Sequence, residues 1–457
     1  MRILLLGSGG REHALARALS TQPANPDQTV EADSQPGNST EQPSDPAGQV
    51  HAAAGVEKHK LYCAPANPGI ERVAEKIELD AQDGDEVANW ASKNLIDLVV
   101  IGPEAPLVAG VANAVRAAAI PVFGPDREAA ELEGSKAFAK EIMRAAGVDT
   151  AAATTCTTIS EVEAAMEEYG APYVIKNDGL AAGKGVVVTD EAKVAREHAA
   201  QCLEAEGGKV LVEEYLDGEE VSLFCLSDGD TVVPLAPAQD FKRAYDGDAG
   251  PNTGGMGAYS PLPWLEENFT NEVVEKVALP VVKEMKKRGT PFVGLLYCGL
   301  ACTSKGVRVV EFNARFGDPE TQPVLARLRT PLAPVLLRAA TGKLAQQPAL
   351  QWDERSAVGV VLAAEGYPGP VVEHRPVSGW EEADKDEDVH VLVAGMKPHP
   401  YGDGQLITSG GRVLTVVGLG KDLGQARRRA YSAMEKIKLE GGHYRSDIAG
   451  RVSAETR

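Results

Sequence analysis

The first twenty residues constrain the fold most tightly, because they join a buried strand to a glycine turn and a helix. Residues 3–6, ILLL, form a continuous apolar run, and the turn 7–10, GSGG, follows directly. A helical pattern then runs from about Glu12 to Ser20. This order is typical of a Rossmann-type unit, in which helices cover a parallel sheet. The sequence therefore predicts an α/β domain at the start of the chain.

The glycine turn by itself does not identify a nucleotide site. The dinucleotide fingerprint G-x-G-x-x-G is not met, because Glu12 stands at the third glycine position. A carboxylate at this place disfavours a pyrophosphate lying on the helix start. A purely structural turn is an equally good interpretation of the motif.

Length, charge and composition set the broad class of the protein. A chain of 457 residues is long enough for two to four domains. Its net charge of −20 argues against a nucleic-acid surface. No apolar run approaches the roughly 18 residues that a membrane span needs. The sequence therefore predicts a protein without nucleic-acid or membrane partners. A cytoplasmic location, a monomeric or weakly homo-oligomeric state and small-molecule partners are further expectations.

A polar stretch interrupts the first domain. Residues 21–50 contain five prolines and neither Lys nor Arg. Such a composition cannot bury an apolar face. We therefore expect a disordered insertion at 21–56, with no catalytic role. Strand and helix patterns resume after it. The predicted strand 98–101 ends in the loop 102–106, at the sheet edge where α/β folds bind ligands, and a helix is predicted over 108–119.

The stretch 176–185 reads KNDGLAAGKG and lies between two predicted strands. It fails the P-loop pattern G-x-x-x-x-G-K-[ST], because the spacing is one residue short and Gly185 replaces the Ser or Thr. A glycine hairpin can nevertheless fold over a polyphosphate, with backbone N–H groups and Lys184 facing the oxygens. In isolation, a plain hairpin turn with exposed lysines is an equally good interpretation.

Residues 309–320 read VVEFNARFGDPE and indicate the wall of a cleft. Side chains alternate between the two faces of a strand, so Glu311, Asn313 and Arg315 are expected to point the same way. A carboxylate and an amide oxygen suit Mg²⁺, which usually shares its coordination with substrate phosphates. A neighbouring arginine can bind a phosphate or a carboxylate. The intervening residues are apolar, which disfavours a solvated face of salt bridges.

The region 239–257 combines QDFKR with the glycine-rich GPNTGGMG. We expect residues 251–260 to lack regular structure, and glycines at this density let the backbone approach a ligand closely. Donors and acceptors for a small polar substrate are offered by Asp240, Lys242, Arg243 and Asn252.

Residues 212–220, VEEYLDGEE, are interpreted as an edge strand. Such a strand can present backbone groups to an adenine ring, with a carboxylate near the ribose. An acidic turn without ligand remains the alternative for this stretch.

Taken together, these stretches resemble the phosphoribosylamine–glycine ligase family of ATP-grasp enzymes. The resemblance covers nearly the whole chain apart from the insertion. The matching stretches are GSGGREHAL (7–15), GPEAPLVAGV (102–111), LEGSKAF (132–138), KNDGLAAGKGV (176–186), EEYLDGEE (213–220), QDFKR (239–243), GPNTGGMGAYSP (250–261), EFNARFGDPETQ (311–322) and GGRVL (410–414).

The resemblance implies a multidomain α/β and α+β architecture. A Rossmann-like N-terminal domain would span 1–132. A two-part ATP-grasp domain would span 133–328, with a mobile lid subdomain at about 150–220. A small C-terminal α+β domain would span 329–457.

The resemblance also implies a reaction. ATP, glycine and 5-phosphoribosylamine would give ADP, phosphate and glycinamide ribonucleotide through glycyl phosphate, in purine biosynthesis, with Mg²⁺ or Mn²⁺ as cofactor. Two alternatives stay open: another ATP-grasp carboxylate–amine ligase, and a non-catalytic nucleotide-binding homologue.

Site residues follow from the resemblance, position by position. The residues implied for ATP are Lys136, Lys176, Gly179, Gly183, Lys184, Gly185, Glu213, Glu214, Tyr215, Leu216 and Glu220. Those implied for the other substrates are Gly9, Gly10, Glu12, Lys242, Arg243, Asn252, Thr253, Gly254, Gly255 and Asp318. Glu311 and Asn313 would bind the metal, and Arg315 and Asp240 would act in catalysis by placing the substrates.

The sequence departs from the family pattern at a few positions. The family usually has Ala where Asn177 stands and His where Phe241 stands. The segment 203–209 is shorter than the glycine-rich loop that the family usually has there. This last difference bears on lid closure and ATP affinity, and it leaves the predicted metal pair untouched.

Overall fold

The computed structural model describes residues 1–20, 59–179, 185–205, 207–402 and 404–455. The predicted insertion at 21–56 lies outside the described residues, and so do Gly183 and Lys184 of the predicted ATP loop. Among the described helices, none is both long and apolar enough to cross a membrane.

A parallel five-stranded sheet opens the chain. Its elements are β1 (Arg2–Leu6), α1 (Gly10–Ser20), β2 (Lys60–Ala64), β3 (Glu75–Lys76), α2 (Gly84–Lys93), β4 (Leu98–Ile101), α3 (Glu104–Ala109), α4 (Val111–Ala117), β5 (Val122–Phe123) and α5 (Arg127–Gly134). The strand order is β3-β2-β1-β4-β5, and all four pairings are parallel. This is the strand order of a Rossmann-type sheet, so the predicted fold of the N-terminal part is confirmed.

One predicted helix of this part, 108–119, is wrong in its extent. The chain forms two helices there, α3 and α4, because Gly110 lies between them with a φ of +85°. A left-handed residue ends an α-helix, and glycine adopts this conformation without steric cost. The first of the two helices also begins earlier than expected, at Glu104.

A second, four-stranded sheet follows with helices packed on it. The elements are α6 (Lys136–Ala146), β6 (Ala153–Cys156), α7 (Ile159–Tyr169), β7 (Tyr173–Asn177), β8 (Val186–Thr189), α8 (Ala192–Leu203) and β9 (Val210–Glu213). The strand order is β6-β9-β7-β8, with antiparallel pairs. Because β9 pairs on both sides and ends at Glu213, the edge strand predicted at 212–220 is wrong.

A third sheet forms the floor below the second one. The elements from here to residue 340 are β10 (Glu219–Asp228), β11 (Val232–Pro234), β12 (Gln239–Asp240), β13 (Arg243–Tyr245), β14 (Ala249–Asn252), β15 (Gly257–Ser260), α9 (Phe269–Val273), α10 (Leu279–Lys287), β16 (Val293–Thr303), β17 (Gly306–Asn313), α11 (Thr321–Arg327) and α12 (Leu332–Ala340). The third sheet has the order β11-β10-β16-β17. Since β10 belongs to this sheet, the second sheet fills only 153–213 of the lid subdomain predicted at about 150–220.

The stretch 251–260 is more regular than expected. It contains the end of β14 and the whole of β15, so only residues 253–256 lie outside strands. Gly257 pairs with Val360 in this ladder, and a Cβ on Gly257 would lie 2.6 Å from the Gly359 carbonyl oxygen. The glycine therefore permits close strand pairing here, and it does not prevent regular structure.

The last part of the chain adds a fourth sheet that reaches back into the middle part. Its elements are β18 (Ser356–Ala363), β19 (Pro376–Ser378), α13 (Trp380–Ala383), β20 (Val389–Val393), β21 (Met396–Pro398), β22 (Leu406–Thr408), β23 (Arg412–Gly420), α14 (Leu423–Met434), β24 (Lys438–Leu439) and α15 (Gly450–Glu455). The fourth sheet has the order β12-β15-β18-β23-β20, so strands from both sides of the boundary predicted at 328–329 pair with each other. Helix α12 follows this boundary in the chain, but it packs against β5, β10 and β16, which precede the boundary.

Hydrogen bonds fix the first sheet against the fourth. The Asn67 amide donates to the carbonyls of Ser8 at 2.7 Å and Val393 at 2.8 Å. The Val393 N–H in turn donates to Nδ1 of His13 at 2.8 Å. Burial lowers the pKa of His13 to about 3, so the ring stays neutral and keeps this acceptor. The N-terminal part is thereby fixed in place beside the cleft described next.

Candidate active site

One cleft of about 1250 Å³ lies between the second, third and fourth sheets. It gathers residues from Arg11 to Val452, which are 441 positions apart in the chain. The predicted site residues that line it are Lys136, Lys176, Gly179, Gly185, Glu213, Glu214, Tyr215, Leu216, Glu220, Asp240, Lys242, Arg243, Asn252, Thr253, Gly254, Glu311, Asn313, Arg315 and Asp318.

Four predicted substrate residues do not line this cleft: Gly9, Gly10, Glu12 and Gly255. The Glu12 carboxylate is 1% exposed, accepts the Gly9 N–H at 2.7 Å and lies 2.6 Å from Nε of Arg11. A Cβ on Gly7 would lie 2.7 Å from Cγ of Glu12. The glycine turn therefore makes room for the glutamate, whose carboxylate is engaged by Gly9 and Arg11. The substrate roles implied for Gly9, Gly10, Glu12 and Gly255 stay predictions.

Two lysines hold one buried carboxylate at the roof of the cleft. Nζ of Lys176 lies 2.8 Å from Oε2 of Glu213, and Nζ of Lys140 lies 3.1 Å from Oε1. Burial would lower the pKa of Lys176, but Glu213 and Glu311 raise it above the usual value. The pKa of Glu213 is lowered despite burial, because of Lys176 and Lys140. The Glu213 carboxylate is committed to these lysines, which speaks against the implied adenosine contact through it.

The start of α6 contacts Asp178 and Gly179, at the beginning of the predicted ATP loop. The Asp178 carboxylate accepts the Ala137 N–H and the Ser135 hydroxyl, each at 3.2 Å. Nζ of Lys136 donates to the Gly179 carbonyl at 3.0 Å. Burial lowers the pKa of Lys136, and Glu311 offsets part of this effect. An anion at a helix N-terminus is stabilised by the free N–H groups there, so Asp178 fixes residues 176–179 in place.

The asparagine at 177, a departure from the family pattern, continues the hairpin. Its N–H donates to the Gly185 carbonyl at 2.7 Å. Any residue other than proline supplies this N–H, and nothing in the structure explains the asparagine side chain.

The predicted metal pair faces the cleft from β17. Glu311 and Asn313 are half-buried, whereas Phe312 between them and Ala314 after them are buried. Among the described residues, none donates a hydrogen bond to the side chain of either, and no group of three or more His, Cys, Asp or Glu forms a metal site. Two free oxygen donors fit Mg²⁺, which completes its coordination with phosphates and water.

Arg315 is oriented by ion pairs and not by strand geometry, because β17 ends at Asn313. Its guanidinium lies 2.9 Å from Glu133 and 3.3 Å from Glu104. Burial raises the pKa of Glu133, and Arg315 opposes this rise. The predicted common face of Glu311, Asn313 and Arg315 is nevertheless present, since all three line the cleft.

The opposite wall carries a cluster of carboxylates around Asp240. Its side chain is 8% exposed and lies 3.9 Å from Nζ of Lys242, which also contacts Glu220. Burial raises the pKa of Asp240 to about 7, and Glu320 and Glu220 add to this rise against Lys242. Glu320 accepts the Tyr297 hydroxyl at 2.8 Å.

Many lining residues were not predicted from the sequence, and three charged ones among them are Arg412, Lys140 and Glu320. Arg412 donates to the Asp318 carbonyl at 2.7 Å and contacts Gly254, so it connects the fourth sheet to the cleft. Its signal was the matching stretch GGRVL, which contains it. Lys140 lies four residues after Lys136 on α6, and this helical spacing places both on one face. Glu320 is the last residue of the motif at 309–320, and the resemblance implies no role for it.

Phe241, the other departure from the family pattern, has a clear partner. The guanidinium of Arg445 lies 5.0 Å from the Phe241 ring centre, and the Tyr259 ring lies 6.2 Å away. Arg445 is fully buried and also pairs with Asp447 at 2.7 Å. An aromatic face stabilises a buried cation, so phenylalanine is compatible with this place beside the cleft.

Comparison with known proteins decides the family. Models described as phosphoribosylglycinamide synthetase match the chain in three consecutive parts: an N domain at 47–133, an ATP-grasp (A) domain at 134–321 and a C domain at 357–451. The chain belongs to the phosphoribosylglycinamide synthetase family. It is 53% identical to the phosphoribosylamine–glycine ligase of Streptomyces coelicolor over 99% of this chain and 100% of that relative. It is 51% identical to the ligase of Leifsonia xyli over the same shares.

Solved structures agree with this family. The phosphoribosylamine–glycine ligase of Thermotoga maritima is 30% identical with a TM-score of 0.78, over 98% of this chain and 100% of that one. The biotin carboxylase domain of the Hydrogenobacter thermophilus 2-oxoglutarate carboxylase has a TM-score of 0.65 at 16% identity, over 97% and 91% of the two chains. This second likeness shows a shared fold alone. The predicted family, its ATP-grasp architecture and the enzyme class, an ATP-dependent ligase, are confirmed.

We expect Glu12→Gln to destabilise the protein, because the neutral side chain no longer compensates the buried Arg11 guanidinium. Breaking a buried ion pair costs about 3 kcal/mol, which lowers the urea midpoint of unfolding. Glu128→Gln, at an exposed residue that accepts a 3.0 Å hydrogen bond from Asn113, serves as the control. An unchanged midpoint for Glu12→Gln would contradict the structural role.

Proposed function

We propose that this chain uses ATP to join glycine to 5-phosphoribosylamine, which gives glycinamide ribonucleotide, ADP and phosphate in purine biosynthesis. The observation that carries the proposal is the convergence of three groups on one cleft. These groups are the lysines of α6 and β7, the oxygen pair of β17 and the loop 252–254. The curated relatives, about half identical over their full length, carry the name of this activity.

The chemistry requires two displacements, which explains the kind of residues present. A carboxylate is a poor electrophile, so the γ-phosphoryl group of ATP is first transferred to glycine. The amine of phosphoribosylamine then attacks the acyl carbon of glycyl phosphate; the new C–N bond forms and phosphate leaves. Phosphoryl transfer of this type depends on positioning and charge neutralisation more than on a protein nucleophile. Lysines, arginines and oxygen donors therefore suffice.

The ATP side of the cleft is the side of the lysines. Lys136 and Lys176 would hold the phosphates, beside Gly179 and Gly185. The chain after β9 would hold the adenosine through the backbone of 214–216, where it leaves the ladder and Tyr215 is 48% exposed. This assignment replaces the Glu213 carboxylate, and it leaves Glu220 to hold Lys242.

A divalent metal, Mg²⁺ or Mn²⁺, would be held by Glu311 and Asn313, whose oxygens are free for it. When bound, it would neutralise charge on the ATP phosphates. The protein's own part is to hold these two oxygens rigidly on β17 and to keep Lys176 close to them, since Nζ of Lys176 donates to the Val310 carbonyl at 3.1 Å.

The glycine and phosphoribosylamine side is the opposite wall. Arg315 and Asp240 would place the two substrates, and the remaining donors and acceptors would surround them. These are Lys242, Arg243, Asn252, Thr253, Gly254 and Asp318. The cytoplasmic location and the monomeric or weakly oligomeric state expected from the sequence remain predictions.

The function is tested by release of ADP in a coupled assay with glycine and with phosphoribosylamine generated in situ. We expect turnover only when both are present. ATP turnover that is indifferent to glycine would overturn the proposal. Activity with another acid–amine pair would favour a different ATP-grasp ligase, and nucleotide binding without any turnover would indicate a non-catalytic homologue.

Glu311→Gln should lose at least about 100-fold in turnover, because a neutral amide would hold the charge-neutralising divalent metal less strongly than the carboxylate does. The variant should stay folded, since no described donor is bonded to Glu311. Activity is measured as ADP release over a range of Mg²⁺ concentrations, with the exposed Glu354→Gln as control. Full activity of Glu311→Gln would remove this residue from the metal site.

We expect activity to fall with acid through the titration of Asp240. Its pKa is raised to about 7, so the carboxylate that would hold the glycine ammonium is protonated below this pH. kcat/KM for glycine should drop about tenfold per pH unit below about 7. Asp240→Asn should be slow throughout and lack this limb, whereas the exposed Asp230→Asn should keep it. A limb that persists in Asp240→Asn would contradict the assignment.

A further inference from the structure

Lys140 makes three contacts that the proposed chemistry does not yet use. Its Nζ lies 3.1 Å from Oε1 of Glu213, and it donates to Oγ1 of Thr150 and to the Ala151 carbonyl, each at 2.9 Å. An ammonium has three donors, and these three acceptors occupy them. The side chain is 16% exposed and lines the cleft.

These acceptors lie on the two segments that connect the second sheet to the rest of the chain. Thr150 and Ala151 precede the sheet, and Glu213 is its last residue. The Glu214 N–H donates to the Ala152 carbonyl at 2.9 Å, so the two connections run side by side. Lys140 therefore binds both connections from α6, which lies outside the second sheet.

Residues of β17, in the third sheet, contact the same two connections from the other side. Oγ1 of Thr150 donates to the Val309 carbonyl at 2.6 Å, and the Val309 N–H donates to the Asp149 carbonyl at 2.8 Å. Arg308 pairs with Glu214 at 3.0 Å. We call the two connections, residues 149–152 and 213–214, the pivot of the second sheet. A small number of direct contacts hold this pivot, and those of Lys140 are among them.

Glu213 connects Lys140 to Lys176, which lies on the side of the cleft where phosphates are proposed to bind. One of its oxygens is held by Lys140 and the other by Lys176, whose Nζ reaches the Val310 carbonyl beside Glu311. The second oxygen contact matters because a buried carboxylate that is bonded on one side only remains free to rotate. Two lysines on one carboxylate also leave one net positive charge next to the predicted phosphate site.

We propose that Lys140 is a positioning residue for ATP: through Glu213 it fixes the ammonium of Lys176, and through Thr150 and Ala151 it fixes the pivot of the second sheet over the cleft. It does not bind ATP itself, because its three donors are already used. The inference rests on the proposed function in one respect, namely that Lys176 holds ATP phosphates.

The test compares Lys140→Met, Glu213→Gln and the double variant. If Lys140 acts through Glu213, each single change raises KM for ATP about tenfold with KM for glycine unchanged, and the double variant is no worse than the worse single one. Lys140→Arg, which keeps the charge, should recover part of the loss. Glu141→Gln, which changes an exposed ion pair to Arg288 on the outer face of the same helix, is the matched control.

Three outcomes would overturn the inference. Multiplied effects in the double variant would show that Lys140 acts independently of Glu213. An equal rise of both KM values together with a lowered melting temperature would show a merely structural role. Wild-type values in Lys140→Met would show no role.

Direct titration of ADP to the purified variants repeats the comparison without turnover. About tenfold weaker ADP binding in Lys140→Met and Glu213→Gln supports the inference even if the coupled assay rejects the proposed substrates. Unchanged ADP binding in both, with a correctly folded protein, contradicts it. The failure of the inference and the failure of the proposed function are therefore distinguishable.

Discussion

The ion pairs between Glu213 and two lysines are the contacts on which the cleft depends. A carboxylate that is 3% exposed is stable only if its charge is compensated, and here both oxygens meet an ammonium. These pairs join α6, β7 and β9, and Lys176 extends them to β17. The roof and the floor of the cleft are therefore connected by electrostatics at the place where phosphates are proposed to bind. The second sheet has an apolar cluster of its own, whereas the other three sheets share two clusters.

The same principle organises the rest of the cleft. The chain carries a net charge of −20, yet the cleft wall presents Lys136, Lys176, Arg315 and Arg412. Most of these cations are held by acidic partners, so they are fixed before any substrate arrives. Such fixed charges need little reorganisation when an anion binds, which is the basis of electrostatic preorganisation. The overall charge, by contrast, bears on solubility and not on the site.

The sequence predicted the elements whose evidence is local, and it failed where evidence comes from distant residues. Glu311 and Asn313 could be placed on one face because side-chain alternation on one strand depends on neighbours only, whereas Arg315 lies beyond the end of β17. Lys140 needed tertiary knowledge, since its partners Thr150 and Glu213 lie 10 and 73 residues away. The central place of β9 was also invisible, because the sequence shows a strand's residues but not its neighbours in the sheet.

Strand pairing across the boundary predicted at 328–329 is another feature that local sequence does not reveal. A change of composition marks where a chain is polar and irregular, whereas a structural unit is defined by which strands pair. β15 pairs with β18 across 97 residues, so the glycine-rich stretch 253–256 is fixed by the last part of the chain. Arg412 strengthens this connection through Gly254 and Asp318. A substrate bound at that loop would therefore contact groups from the middle part and the last part together.

In this cleft, the groups suited to phosphate and to metal lie on different segments, which explains why KNDGLAAGKG departs from a P-loop. A P-loop combines phosphate binding and a metal-ligating Ser or Thr in one segment. Here the oxygen donors that suit a metal stand on β17, more than 120 residues after Gly185, and Lys176 is held next to them by the Val310 carbonyl. The hairpin needs no hydroxyl at 185 once those oxygens are supplied from the floor. The hairpin supplies Lys176 at one end, where it pairs with Glu213, and its Asp178 accepts a hydrogen bond from the start of α6.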